Sequence, residues 1–168
     1  MPVTTLAPDG AIDTARGDAV VCVPLYGALE IFSHCLVALL AHTGPETPIV
    51  IADDCSPGDD DPATLISEIV ERDAPGRVVH YFRQQRNVGF VENCNTAFRM
   101  IAPADVVLVN SDVEVAAGWL EGMLAARATD TRVATVSTLT NHGSILSVPY
   151  RNKPVTDLPG GMDVGEAA

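Results

Sequence analysis

Asn110, Ser111, Asp112 and Glu114 place four oxygen-bearing side chains within five residues, directly after the apolar run Val106, Val107, Leu108 and Val109. Carboxylate and carbonyl oxygens in that arrangement suit a hard cation such as Mg²⁺ or Mn²⁺, which in turn bridges phosphate oxygens. Asp112 can equally serve as a cap for the helix that begins near Gly118 and Trp119. Three more clusters have the same form, a short apolar run that ends in groups with chemistry. Pro24, Leu25 and Tyr26 follow residues 19–23, Asp53 and Asp54 follow 48–52, and Arg86, Asn87, Val88, Gly89 and Phe90 follow 78–82. Tyr26 can stack on a base, and an Asp at 53 or 54 can accept hydrogen bonds from a base N–H or a ribose hydroxyl. Arg83 or Arg86 can meet a phosphate, as can backbone N–H groups at the start of a helix opening at Phe90. The combined chemistry fits a nucleotide carrying a diphosphate.

The apolar runs have the length and composition of strands buried on both faces. Between them the apolar residues recur at helical spacing. Ile31, Cys35, Leu36, Leu39 and Leu40 mark one helix, which Gly44 and Pro45 end. Leu65, Ile66, Ile69 and Val70 mark a second, with Asp61 as N-cap, Pro62 at the first helical position and Pro75-Gly76 as the stop. Phe90, Val91, Cys94, Ala97, Phe98 and Ile101 mark a third, and residues 119–128 a fourth. Residues 132–137 predict a fifth strand. Strand and helix alternating with short connections predict an α/β fold with a mostly parallel sheet and helices on both faces. The four polar clusters then share the carboxyl edge of that sheet, where open α/β sheets bind ligands.

A length of 168 residues supports one domain with a full core, and the low aromatic content of 5% predicts that Val, Leu, Ile and Ala fill it. The formal net charge of −12 argues against nucleic acid or an anionic membrane surface as partner. An anionic substrate would need a cation or local basic groups to offset that charge. Cys22, Cys35, Cys55 and Cys94 form no C-x-x-C pair and read as free thiols. Neither a signal peptide nor an apolar stretch long enough to span a bilayer is evident, so a cytoplasmic setting is expected. The glycine fingerprint of dinucleotide-binding folds and the P-loop are both missing after residues 19–23. His34, His42 and His80 lack metal-pair spacing, and His142 stands in a loop near where an acceptor would lie.

Taken in order, residues 21–26 (VCVPLY), 49–56 (IVIADDCS), 86–90 (RNVGF) with Asn95, and 107–112 (VLVNSD) resemble family 2 glycosyltransferases of the GT-A fold. The resemblance spans about residues 19–149 and has a rhamnosyltransferase-like cast. It implies metal-dependent transfer of a sugar from a UDP-, dTDP- or GDP-linked donor to an acceptor glycan or lipid-linked sugar, with inversion at the anomeric carbon. It places Pro24, Tyr26, Asp53 and Asp54 in the nucleoside pocket, with Asp54 on the base, and Arg86, Asn87, Gly89, Asn110 and Ser111 around the nucleotide. The D-x-D motif of the family falls on Asn110-Ser111-Asp112, which leaves Asp112 as the ligand for Mg²⁺ or Mn²⁺. A role in polysaccharide biosynthesis follows, in the cytoplasm or against the inner face of the membrane.

The expected organisation is a leader over 1–18, the nucleotide-sugar-binding domain over 19–150, and a tail or start of an acceptor region over 151–168. No residue matches the general base of the family, and Asp157, Asp163 and Glu166 stand in a stretch without periodicity. The acceptor-binding half is therefore expected to be absent. The alternative is a non-catalytic nucleotide-sugar-binding module or remnant.

Overall fold

The computed structural model describes residues 3–6, 12 and 19–140. Its strands are β1 (Val3–Thr5), β2 (Ala19–Leu25), β3 (Ile49–Asp53), β4 (Val79–Arg83) and β5 (Asp105–Leu108). Its helices are α1 (Leu29–His42), α2 (Pro62–Asp73), α3 (Phe90–Ile101) and α4 (Trp119–Ala128). The chain divides into two compact units, Met1–Glu114 and Val115–Ala168. The sheet and α1 to α3 belong to the first unit, and α4 belongs to the second. Among the described residues no helix is long and apolar enough to cross a membrane.

All five strands run parallel in the order β1-β4-β3-β2-β5. From β2 the chain lays β3 and β4 on one side and then returns to add β5 on the other. Adjacent crossovers therefore diverge between β2 and β5, and such a reversal opens a crevice at the carboxyl ends of the strands.

The two sheet faces divide by residue parity. Val20, Cys22, Val50, Ala52 and Phe82 lie on one face and pack with Ala97, Met100 and Ile101 of α3. Val21, Val23, Ile49 and Ile51 point the other way and are fully buried, as are Phe32, Leu36 and Leu39 of α1 and Ile66 and Val70 of α2. Right-handed crossovers place α1 and α2 together on that face. The aliphatic core expected from the composition is present. The start of α2 also follows expectation: Asp61 accepts from the backbone N–H of Ala63 and Thr64 and from the Thr64 hydroxyl, and Pro62 opens the helix.

Three elements differ from the sequence expectation. Val3–Thr5, inside the segment read as a leader, pairs with Val79, His80 and Tyr81, and the Leu6 N–H donates to the Tyr81 carbonyl at 2.8 Å. Three residues are too few to show a periodicity, so only the open edge of β4 reveals this strand. Residues 132–137 form no strand, because β-branched composition acts only where a ladder partner exists. Pro24 was expected to stop β2, yet it lies buried within it, level with Ala52 of β3.

The hydrogen-bond directions explain that proline. Val21 donates to Pro48 and Leu25 accepts from Asp54, so odd residues of β2 face β3, whereas Cys22 accepts from Val109 and even residues face β5. The ladder to β5 ends at Cys22 and Leu108. Pro24 therefore lacks its N–H on a side where nothing is left to receive it.

At the opposite edge of the sheet, Arg77 donates to the carbonyls of Thr43 (3.0 Å) and Thr47 (2.8 Å). It thereby satisfies chain turning out of α1, and burial lowers its pKa from the ordinary guanidinium value.

Candidate functional site

The four polar clusters end adjacent strands of one parallel sheet, as their spacing predicted, but their side chains have different jobs. Asp53 is completely buried at the end of β3. Its Oδ1 accepts from the backbone N–H (2.8 Å) and hydroxyl (2.6 Å) of Ser56. Its Oδ2 accepts from the Tyr81 hydroxyl and from Arg83 Nη1, both at 2.7 Å. A carboxylate has about four acceptor sites, and all are occupied. Asp53, expected to line the nucleoside pocket, has each of these bonds within the chain, as a charge at the end of a fully buried strand must be paired. Arg83 is committed with it and also donates to the Ser56 carbonyl at 2.8 Å. Burial, and then donation to Asp53, hold the Tyr81 phenol above its ordinary pKa. Ser56 Oγ accepts from the Gly27 N–H at 2.9 Å, which ties the end of β2 to the same hub.

Asp54 is nearly buried, at 4% exposure. Its Oδ1 accepts from the Val88 N–H at 2.7 Å and its Oδ2 from the Gly89 N–H at 2.8 Å. These two amides lie just before the helix start that was expected to meet phosphate, and a carboxylate of the chain takes them. Gly89 stands at φ 87° as the N-cap of α3, a conformation that a side chain would strain. Asp54 also donates its own N–H to the Leu25 carbonyl at 2.8 Å, so it links β2 to the 86–89 loop.

The groups left facing outward are Tyr26 (55% exposed), Arg86, Asn87, Asn110 and Asp112, with Ser111 half-buried and Pro24 buried beneath. Asn110 and Asp112 follow β5, which the bond from Val109 N–H to the Cys22 carbonyl (2.9 Å) holds against β2. The Cys35 thiol of α1 donates to the Asn110 carbonyl at 3.5 Å from below. Asn95 is exposed, while Asn93, which the sequence reading passed over, is buried. Asn93 Nδ2 donates to the Ala52 carbonyl at 2.7 Å, and its Oδ1 accepts from Gln84 Nε2 at 3.2 Å. An Asn on the apolar face of an amphipathic helix is the signal that marks it. His142, Asp157, Asp163 and Glu166 lie outside the described residues.

Among the described residues no three His, Cys, Asp or Glu side chains converge as a metal cage. The donor set of Asn110, Ser111 and Asp112 is nevertheless all hard oxygen. One carboxylate suits a cation that takes its remaining ligands from substrate phosphate and water. A cavity of about 670 Å³ lies at the opposite, amino edge of the sheet, lined by Pro45, Glu46, Pro48, Pro75, Arg77 and His80. It holds none of the predicted site residues, and the strand-end chemistry lies elsewhere.

Cys22 and Cys35 are fully buried, and burial pushes both thiols from 9.0 up to about 12; the charges of Asp112 and Glu114 add to the effect at Cys35. A raised value in the folded state favours the protonated thiol. That stabilisation is complete below about pH 9 and is lost as pH climbs toward about 12. The urea midpoint is expected to fall between about pH 9 and about pH 11, and a midpoint that rises across that window would contradict the burial of these thiols.

Three of the solved structures that resemble the chain are glycosyltransferase-fold proteins. One is a mannosyltransferase, PcManGT, from Pyrobaculum calidifontis in complex with GDP-Man and Mn²⁺, at TM-score 0.56 and 21% identity, with 80% of this chain and 39% of that one covered. A second is S. aureus TarS 1–349, at TM-score 0.52 and 20% identity, covering 77% of this chain and 42% of that one. A longer TarS structure gives TM-score 0.52 and 20% identity over 84% of this chain and 24% of that one. The chain thus spans less than half the length of these structures, and at such identities they show the fold, a GT-A sheet with flanking helices. No curated protein matches the chain at a significant level. The family model for glycosyl transferase family 2 matches residues 20–156, and with four ordered strand-end motifs on one sheet edge, the chain belongs to that family.

Proposed function

We propose that the first unit binds a nucleotide-diphosphate sugar at the carboxyl edge of its sheet, across the reversal between β2 and β5, and that the sugar passes with inversion to an acceptor hydroxyl. The observation that carries this is the reversal of strand order between β2 and β5, with exposed Tyr26 after β2 and Asn110, Ser111 and Asp112 after β5. Tyr26 presents an exposed ring for the base. Arg86 and Asn87, exposed on the loop after β4, supply a guanidinium and an amide for ribose or phosphate. Asp112 would be the protein ligand of Mg²⁺ or Mn²⁺, which when bound offsets charge on the diphosphate leaving group. The neighbour with GDP-Man and Mn²⁺ supports both the donor class and the cation. Asp53, Ser56, Tyr81 and Arg83 hold these groups in place without touching substrate.

Calorimetric titration of UDP-, dTDP- and GDP-linked sugars, each with and without Mn²⁺, tests the proposal. At least one donor is expected to bind, and more tightly with the cation. No heat from any of them would end it. Release of free nucleoside diphosphate from the bound donor separates a catalyst from a binding module that only holds it.

A further inference from the structure

We propose that Cys35 is a positioning residue for the turn that carries Asp112. The inference rests on the nucleotide-sugar function proposed above and names what orients one carboxylate of that site. The Val113 N–H donates to the Asn110 carbonyl at 3.2 Å, which closes a turn with Ser111 and Asp112 at its two central positions. The same carbonyl accepts from the Cys35 thiol at 3.5 Å. A carbonyl oxygen has two lone pairs, so one bond shapes the turn and the other ties it to α1. Just before the turn, the Val109 N–H donates to the Cys22 carbonyl at 2.9 Å. The turn is therefore anchored on β2 at its entry and on α1 from beneath.

Cys35 is fully buried on the face of α1 that also buries Phe32, Leu36 and Leu39. A thiol packs there as a small apolar group and still offers one donor, so it reaches the turn without leaving a strongly polar group in the core. Asp112 itself is exposed, and the direction of its carboxylate depends on the backbone of the turn beneath it. A partner that touches a metal ligand directly is worth about ten- to a hundredfold in metal affinity. Cys35 acts one step further out, through the turn backbone, so its share is smaller, about fivefold.

The experiment titrates UDP, dTDP and GDP into wild type, Cys35→Val and Leu39→Val, with Mn²⁺ and with EDTA. Cys35→Val removes the donor and keeps the position filled and apolar. Leu39→Val trims packing one turn further along α1 and leaves the thiol in place. The quantity read is the factor by which Mn²⁺ tightens the best-bound of the three nucleotides. In Cys35→Val that factor is expected to fall about fivefold, with the affinity in EDTA within about twofold of wild type. In Leu39→Val the factor is expected to stay within about twofold of wild type although the urea midpoint drops. An unchanged factor in Cys35→Val, an equal loss in Leu39→Val, or a loss of affinity in EDTA as large as that in Mn²⁺ would overturn the positioning role. Cys35→Ala, which adds no methyl group to the core, decides the matter on the same terms if the valine variant does not fold. Wild-type protein that binds none of these nucleotides, or binds them equally with and without Mn²⁺, would refute the function proposed for the site, and this inference with it.

Discussion

Asp112→Ala is expected to remove the Mn²⁺-dependent part of donor binding, weakening the nucleotide sugar at least about a hundredfold in the presence of the cation. The size follows from charge. The chain carries a formal −12, and a diphosphate adds to that negative field unless a cation stands between them. Metal-mediated stabilisation of phosphate oxygens amounts to several kcal/mol, and about 1.4 kcal/mol is a factor of ten. Asn110 is neutral, so no second carboxylate in the triplet replaces Asp112. With EDTA present, wild type and variant should bind the donor equally weakly. Asn110→Asp, which adds a second carboxylate, is expected to tighten Mn²⁺ binding. Calorimetric affinities for the donor that match between Asp112→Ala and wild type in Mn²⁺ would remove Asp112 from the site.

Asp53→Ala is expected to be the most destabilising single change at the carboxyl edge. It strands the buried Tyr81 hydroxyl, the Ser56 hydroxyl and N–H, and the Arg83 guanidinium at once. Removing one partner of a buried charged network costs about 3–5 kcal/mol, against a total stability of about 5–15 kcal/mol for a domain. The Arg83 side chain is 38% exposed, so solvent screens its share of the ion pair. The greater part of the loss comes from the unpaired groups on the Tyr81 and Ser56 side. Asp53→Asn keeps the shape but not the acceptor capacity and should fall between the two. Urea denaturation measures this, and an Asp53→Ala midpoint equal to that of wild type would show that the hub contributes nothing to stability. Donor affinity measured on the protein that remains folded should drop less than in Asp112→Ala, since the Asp53 oxygens are already taken by Ser56, Tyr81 and Arg83.

Local order was plain in the chain itself. Runs of four or five aliphatic residues alternating with helical periodicities required a parallel sheet, and each run ended in groups with chemistry, so the carboxyl edge was identifiable as the candidate site. Asp61 and Pro62 marked the start of α2 because capping is a contact between near neighbours. The exposure of Asp112 and Tyr26 follows for a related reason: both extend past strands whose ends the sequence marks.

Which carboxylates are bonded within the chain was not legible. Asp53 and Asp54 are adjacent and identical in type. Whether either faces a substrate depends on Tyr81 and Arg83, 28 and 30 positions away, and on Val88 and Gly89, 34 and 35 positions away. Strand β1 was hidden in the same way, since its three residues become a strand only beside the open edge of β4. Pro24 reads as a stop until the end of the β5 ladder shows that its missing N–H has no partner to lose. Periodicity records which side of an element is apolar. It carries no record of which distant donors arrive at a buried charge, and here those arrivals decide which carboxylates are bonded within the chain.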